Sequence, residues 1–357
     1  MENNAETFDM PDDAIRQYID ARQTFLAYEQ ALARVSAYRG GMFWKTVKQK
    51  EYLIRTTPRG AQTSLGAKTP ETIEIYQKFV RGKTREEQSA ARLREAVEKH
   101  ARLNRALRVG RTPSIVINLL AEIERAGLAP HFAVVGTHAL YAYETAASVR
   151  IVEAALATRD LDLLWDNRKK ISLGMSTELS KDGMIGLLRK VDASFRINPL
   201  QLYTAVNDDG FEVDIIRAKD PARTVSGDKD GPARLSEHDD DFWTVKARNA
   251  EWLLSAPRFK EMVVGSTGAM ACMNTIDPRA FVLFKLWMAE QKDREYGKRL
   301  RDANQARIVL KVIEERLPQL SFENIKIFPS AVKELLDKVS NEDHPIELPR
   351  PARPKGW

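Results

Sequence analysis

Three aspartates in two short apolar segments could hold divalent metal ions. Asp160 and Asp162 alternate with leucines, and Asp214 alternates with Val213 and Ile215. Because successive side chains of a strand point to opposite faces, each segment predicts a strand whose acidic residues share one face. If the two strands are neighbours, three carboxylates converge, and such a cluster favours oxygen-ligated Mg²⁺ or Mn²⁺. Two such ions could activate an attacking hydroxyl and stabilise a leaving pyrophosphate.

A Gly136-Thr137 pair follows a short apolar run and precedes a segment with helical spacing. A small-residue turn between a strand and a helix lets the backbone approach a triphosphate, whose charge the helix dipole favours. Thr137 could instead be a simple helix cap. Asp208 and Asp209, in a predicted turn, are alternatives to Asp214 as the third carboxylate.

The elements that must position these residues follow from hydrophobic periodicity. Short alternating runs predict a small meander at 42–65, strands at 132–135 and 160–165, and a hairpin at 202–216. Helices are predicted at 14–38, 69–107 with a break near Gly82, 115–126, 137–144, 183–192, 281–291, 299–316 and 329–339.

This element order predicts an α+β protein of four regions. Residues 1–112 form an N-terminal accessory region of helix, β-hairpin and helix, and 113–277 form a core with a short mixed sheet flanked by helices. Residues 278–342 form a C-terminal helical domain, and the proline-rich segment 343–357 is an extended tail.

The composition is 43% hydrophobic and 30% charged over 357 residues, which is ordinary for a soluble globular protein. No apolar run approaches the roughly 20 residues of a membrane span, and the N-terminus does not resemble a signal peptide. Cys272 is the single cysteine, which excludes a disulfide or a cysteine-based metal site within one chain. We therefore expect a cytoplasmic protein with no membrane partner.

Positive charge is concentrated in segment 41–112, which has 17 Lys and Arg against 7 Glu and no Asp, in a chain of net charge +6. Such an excess indicates a polyanionic partner, RNA or DNA ahead of a membrane surface. Sign alternation over 92–105 also fits a solvated helix face. Phe43, Trp44 and Tyr52 in the same segment are either a small core or base-stacking residues.

Two strings carry a family resemblance: Val134-Val135-Gly136-Thr137-His138-Ala139-Leu140 and Thr158-Arg159-Asp160-Leu161-Asp162. They resemble the polymerase-beta-like nucleotidyltransferase superfamily, and within it a bacterial nucleotidyltransferase-fold branch related to AbiEii-type toxins. The resemblance implies the nucleotidyltransferase fold and transfer of a nucleoside monophosphate (NMP) from a nucleoside triphosphate (NTP) to an acceptor. The turn departs from the family pattern, because Thr137 takes the second small position and His138 stands where Thr or a similar residue is usual.

Site residues follow from this resemblance. It implies that Asp160 and Asp162 ligate the metal ions. Together with Asp214, which strand alternation adds, they are the predicted catalytic residues and hold two Mg²⁺ or Mn²⁺ ions. The predicted nucleotide-binding residues are Gly136 and Thr137 in the turn, Lys285 and Asp302 from the resemblance, and Arg159 from its place next to Asp160. Their own patterns leave other roles open, since Lys285 could be a surface lysine and Arg159 a carboxylate partner. His138 is interpreted as a packing or hydrogen-bonding residue rather than a base.

The acceptor is left open by the sequence. The basic segment 41–112 favours an RNA, and toxin relatives imply a tRNA end and an antitoxin-like protein partner. A protein hydroxyl and a small molecule are other acceptors of suitable chemistry. The alternative function is a non-catalytic nucleotide- or nucleic-acid-binding protein on the same fold.

Overall fold

The computed structural model of the chain describes residues 6–58, 60–169, 177–219 and 231–340. Its helices are α1 (Asp12–Ser36), α2 (Pro70–Ala106), α3 (Ser114–Arg125), α4 (Leu140–Ala146), α5 (Glu153–Leu156), α6 (Thr177–Val191), α7 (Ala250–Ser255), α8 (Pro278–Ala289), α9 (Tyr296–Arg316) and α10 (Ser330–Ser340). Its strands are β1 (Thr7–Asp9), β2 (Gly41–Val47), β3 (Lys50–Thr56), β4 (Gln62–Ala67), β5 (Phe132–Val135), β6 (Val149–Ile151), β7 (Asp160–Trp165), β8 (Arg196–Asn198), β9 (Gln201–Val206), β10 (Glu212–Arg217), β11 (Ala233–Arg234), β12 (Trp243–Lys246), β13 (Arg258–Val264) and β14 (Met270–Ile276). The predicted α+β class is confirmed, whereas the tail predicted at 343–357 lies outside the described residues.

Two units divide the described residues. The smaller unit comprises Asp12–Val109 and Thr267–Ala269, and the larger comprises the described parts of Met1–Pro11, Gly110–Ser266 and Met270–Trp357. No helix in the described part of the chain is both long enough and apolar enough to cross a membrane.

The smaller unit is built on two long antiparallel helices. Helix α1 buries Ala14, Tyr18 and Ala21, at the three-to-four-residue spacing of a helix that packs along another helix. Gln17, near the start of α1, donates to the side chain of Asn104 near the end of α2 at 2.9 Å. The helices therefore run in opposite directions, as the two ends of a hairpin.

The predicted break in α2 near Gly82 is wrong. The helix runs unbroken from Pro70 to Ala106, and at Gly82 a β-carbon would overlap the hydroxyl of Tyr38. One glycine costs a helix only about 1 kcal/mol. Close packing of Tyr38 against the helix at this position offsets that cost.

Strands β2, β3 and β4 form an antiparallel sheet in that order, as the predicted meander requires. One face packs on α2, where the rings of Trp44 and Tyr76 lie 5.9 Å apart and Arg55 lies 4.6 Å from the ring centre of Phe79. Trp44 is therefore a core residue of this unit rather than an exposed stacking residue.

In the larger unit, nine of the described strands form one mixed sheet. The order is β11-β12-β10-β7-β5-β14-β13, with β9 paired to β10 and β8 paired to β9. Strands β7 and β10 are parallel neighbours, and β5 is antiparallel to β7. The strand pairing assumed from the sequence, β10 beside β7, is confirmed.

The sheet is wider than the predicted short sheet, because β13 and β14 extend it beyond β5. Strand β14 was not predicted because its sequence does not alternate polar and apolar side chains. Six of its seven residues are buried, as in a strand that is covered on both faces. Helix α3 packs on β14 and helix α4 on β13, while α8 and α9 pack against each other.

Candidate active site

The register of β7 and β10 brings four carboxylates to one face of the sheet. Asp160 pairs with Glu212, and Asp162 pairs with Asp214, in a parallel ladder. Paired residues of neighbouring strands point to the same side. The alternate positions are apolar and closed to solvent, and Leu161 is fully buried. Burial of the apolar face therefore fixes which way the acidic side chains point.

The turn after β5 lies directly against this acidic face. Val135, the last residue of β5, pairs with Asp162. Gly136 follows with φ +67°, and a β-carbon at Gly136 would overlap Oδ2 of Asp162. Glycine is required here for two reasons: the left-handed backbone conformation and the close approach of the carboxylate.

Residues Gly136–Ala139 form a 3-10 turn, not the first turn of an α-helix as predicted. The Thr137 side chain is buried, and its hydroxyl accepts from Gln305 Nε2 at 3.1 Å and from Arg301 at 3.4 Å. The hydroxyl is therefore already engaged by α9, a contact that the sequence does not reveal.

His138 has the packing role that the sequence interpretation gave it. Its Nδ1 lies 3.0 Å from the carbonyl oxygen of Asp160, and its ring contacts those of Tyr141 and Phe211. Burial lowers the pKa of His138 to about 4, so the imidazole is neutral at pH 7. The side chain therefore supports the start of β7 instead of carrying charge.

Arg159 lies at the edge of the acidic face. Its guanidinium donates to the carbonyl oxygen of Asp209 at 2.7 Å, in the turn between β9 and β10. The backbone N–H of Glu212 donates to the carbonyl oxygen of Arg159. Arg159 thus joins the start of β7 to the β9–β10 hairpin, and its side chain is exposed.

Two cations beside the acidic face share one buried carboxylate. Asp302 on α9 accepts from Lys285 of α8 at 2.7 Å and from Arg294, in the connection between these helices, at 2.5 Å. The Asp302 side chain is only 2% exposed. Both cations lower the pKa of Asp162, which places them within electrostatic reach of it. Lys285 and Asp302 were predicted together, whereas Arg294 has no distinguishing sequence pattern.

The electrostatics of Asp162 reflect its crowded surroundings. Burial is the largest effect, and with the charges of Asp160 and Asp214 it raises the pKa of Asp162 to about 7, despite the opposing effect of Lys285 and Arg294. A carboxyl in such a position binds a proton or a cation readily, because either one removes the like-charge repulsion.

Two hydroxyls bind the other carboxylates. Asp160 accepts from the hydroxyl of Thr158, and Asp214 Oδ1 accepts from the hydroxyl of Thr204 at 2.6 Å. Thr204 pairs directly with Asp214 across the β9–β10 hairpin. Hairpin register alone could have identified Thr204, although the sequence interpretation did not.

The donor set fits a hard divalent cation by its chemistry. All the side chains of the acidic face offer oxygen, as Mg²⁺ and Mn²⁺ prefer. Among the described residues, no three His, Cys, Asp or Glu side chains are already gathered as a metal-ion site.

A cleft of about 400 Å³ runs between α5 and α9, next to Thr137. Its walls include Ala154, Ala155, Arg301 and Gln305. Gln305 donates to both the Thr137 hydroxyl and the Ala155 carbonyl, which ties the wall of the cleft to the turn after β5. The volume is in the range of small-molecule sites.

Removal of the Asp302 carboxylate should strongly destabilise the larger unit. Asp302→Ala leaves Lys285 and Arg294 without their shared partner, and breaking a buried ion pair in this way typically costs about 3–5 kcal/mol. We expect a correspondingly lower free energy of unfolding in urea, measured by circular dichroism.

The matched control is Asp293→Ala, which removes an exposed ion pair with Arg248 whose partners are 57% and 64% exposed. Such pairs contribute only about 0–1 kcal/mol. Equal losses for the two variants would contradict a special role for Asp302.

Comparison with known proteins agrees with this geometry. Residues 114–327, more than half of the chain, match the family model described as nucleotidyltransferase. The match contains every predicted site residue from Gly136 to Asp302. No curated protein and no solved structure matches the chain. The chain therefore belongs to this nucleotidyltransferase family, and it is a transferase of phosphorus-containing groups.

Proposed function

We propose that the protein moves an NMP from an NTP to the terminal hydroxyl of an RNA in a metal-dependent reaction that releases pyrophosphate. The observation that carries this proposal is the β7–β10 register, with Asp160, Asp162 and Asp214 on one face beside Gly136. Family membership supports NMP transfer in general. The all-oxygen donor set supports the metal ions, and the basic segment 41–112 supports the RNA.

The three aspartates would hold two Mg²⁺ or Mn²⁺ ions, which when bound offset the charge of the triphosphate and favour ionisation of the acceptor hydroxyl. Lys285 and Arg294 lie within electrostatic reach of Asp162, and in this proposal their positive charge attracts the triphosphate. Because Asp302 fixes both cations, their positions are set before a nucleotide binds, which is the condition for effective electrostatic stabilisation.

The proposed reaction exchanges one phosphorus–oxygen bond for another. The acceptor oxygen bonds to the α-phosphorus while the bond from that phosphorus to the α,β-bridging oxygen breaks, and pyrophosphate leaves with the electron pair. Asp214 takes the proton of the acceptor hydroxyl. Burial raises the pKa of Asp214, and the charges of Glu212 and Asp160 act in the same direction against the Thr204 hydrogen bond. Without bound ions, Asp214 therefore holds a proton more readily than an ordinary aspartate.

The nucleotide would bind along the turn after β5. Gly136 offers backbone without a side chain, and the first N–H groups of a helical turn have no acceptor within the turn. Thr137 follows Gly136 in this turn, and Arg159 directly precedes the first aspartate of β7. The cleft beside Thr137, with the exposed Arg301 on its wall, is large enough for the sugar and base.

A more specific form of this proposal is that the protein is a toxin-like enzyme. In this form of the proposal it belongs to the branch related to AbiEii-type toxins, modifies the end of a tRNA, and is inhibited by an antitoxin-like protein partner. The alternative of a non-catalytic binding protein is not proposed, because the chain belongs to a transferase family.

The decisive experiment is label transfer from each of four α-³²P-labelled NTPs with Mg²⁺ or Mn²⁺. The acceptors are total tRNA, a single-stranded RNA oligomer and cell lysate, and the products are treated with RNase or protease. We expect a labelled product that RNase destroys, and a loss of about 10³-fold or more in Asp160→Asn because a metal ligand is removed.

Asp208→Asn is the matched control. It makes the same chemical change in the exposed turn after β9, where the Asp208 carboxylate pairs with Arg196 at the surface, and it should retain transfer. A protease-sensitive product would refute the RNA acceptor. Absence of transfer from every NTP to every acceptor would refute the proposed function.

A further inference from the structure

The sheet of the smaller unit has an outer face that the proposed active site does not use. The alternation of side chains along a strand shows which residues belong to each face of this sheet. Trp44, Leu53 and Arg55 belong to the face that packs on α2, where Trp44 and Arg55 lie against rings of that helix. The ladder pairs Phe43 with Ile54, Lys45 with Tyr52 and Val47 with Lys50 on the opposite face. We name this opposite face of β2 and β3, with Lys48 in the turn that joins them, the outer sheet face.

The outer sheet face combines aromatic rings with lysines. Phe43 is 39% exposed, and Tyr52 is half-buried. These two residues are diagonal neighbours on adjacent strands, a separation of about 7–8 Å. Two rings at that distance can each stack on a separate base of an extended strand, since every base offers a π-face.

The charge of this face has one sign. Lys45, Lys48 and Lys50 are exposed, and the structure gives none of them a carboxylate partner among the described residues. Glu51, the single acidic residue of segment 41–67, points to the other face and pairs with Lys68. Strand β4 adds Ser64, which pairs with Ile54, and Gln62, which pairs with Thr56, and it contains no acidic residue.

These features fit a polyanion that also carries flat rings. A lipid surface offers phosphate charge but nothing that stacks, and an acidic peptide offers few rings. Single-stranded RNA offers both, with phosphates for the lysines and unpaired bases for the aromatic residues. We infer that the outer sheet face binds a single-stranded segment of the RNA acceptor. This inference rests on the proposed function, in which an RNA end receives the NMP.

The test measures equilibrium binding of the full chain to a fluorescein-labelled single-stranded RNA oligomer by anisotropy, without NTP or divalent ions. The double variant Lys45→Gln/Lys50→Gln should weaken binding about tenfold at 100 mM salt and flatten the salt dependence, because fewer counterions are released. Phe43→Leu keeps the apolar bulk but removes the ring, and it should weaken binding about fivefold with no change in the salt slope.

The matched control is Lys78→Gln/Lys83→Gln. It removes the same charge from α2, where both lysines pair with glutamates one helical turn away, and it should bind RNA as the wild type does. Circular dichroism spectra should be the same for all variants, since every changed side chain on the outer sheet face is at the surface.

Several results would overturn this inference. They are equal RNA binding by the outer-face variants and the wild type, no RNA binding at all, and binding to anionic lipid vesicles alone. A preference for duplex RNA over the single strand would also overturn it, because paired bases cannot stack on the two rings.

Failure of this inference is distinguishable from failure of the proposed function. If NMP transfer to RNA depends on Asp160 but is independent of the outer sheet face, the RNA lies elsewhere. If RNA binding depends on the outer sheet face but no NTP yields a labelled product, the proposed transfer to RNA is wrong and this surface remains.

Discussion

Asp162→Asn is expected to abolish NMP transfer and at the same time raise the stability of the protein in EDTA. Burial and the charges of Asp160 and Asp214 together raise the pKa of Asp162 to about 7 from its ordinary value of 3.8. An unfolded chain releases this proton near pH 4, whereas the folded protein holds it up to about pH 7. The free energy of unfolding therefore falls as the pH rises through this interval. At pH 8 the charged Asp162 destabilises the folded protein by its full amount.

Asparagine keeps the shape of the side chain and removes its charge. We expect the free energy of unfolding at pH 8 to rise by on the order of 3 kcal/mol, with a higher Tm by several degrees. Mg²⁺ should raise the Tm of the wild type more than that of the variant, because one ligand is lost. Transfer should fall about 10³-fold or more.

Asp208→Asn again serves as the control and should change neither the Tm nor the transfer rate appreciably. A lower Tm for Asp162→Asn in EDTA would contradict the like-charge interpretation. It would mean that the attraction of Lys285 and Arg294 outweighs burial and the repulsion from Asp160 and Asp214.

Gly136→Ala is expected to disable the site while the fold persists. The added methyl group would overlap Oδ2 of Asp162, and the carboxylate would have to turn away from its present position. The backbone conformation with φ +67° adds a cost of about 1 kcal/mol for any L side chain. We expect at least a 100-fold loss of transfer, measured with the labelled NTP.

Gly210→Ala is the control that separates backbone strain from overlap with the Asp162 carboxylate. Gly210 has φ +73° in the turn before β10, and nothing lies within 4 Å of a β-carbon there. The two variants should lose similar stability through backbone strain, and only Gly136→Ala should lose transfer. Equal activity in both would show that Asp162 can move without consequence.

The site was predictable where it depends on strand alternation. Asp160 and Asp162 had to share a face because the leucines between and after them are apolar, and the hairpin turn fixed the direction of the strand with Asp214. The sequence interpretation assumed that the two strands are neighbours, so that the carboxylates meet. The structure confirms that they are neighbours and shows that they pair in parallel. Local periodicity alone would not have given it.

The parts that were not predictable depend on packing between distant segments. Gln305 reaches Thr137 across 168 residues of sequence, and no local pattern indicates such a contact. Arg294 lies in a short polar connection, where its role comes only from the position of Asp302. The start of the turn at Gly136 was predicted, but its 3-10 geometry was not.

Helix α9 has a mechanical consequence for the enzyme. Within two turns it binds the two cations through Asp302, the turn after β5 through Gln305, and the N-terminal segment through Arg307, which pairs with Glu6. A slide of α9 along its axis would move the cationic and the nucleotide-facing sides of the site in step. Helix α9 therefore links the two sides of the site rigidly. The insertion or deletion of one residue between its contact residues would move one side relative to the other.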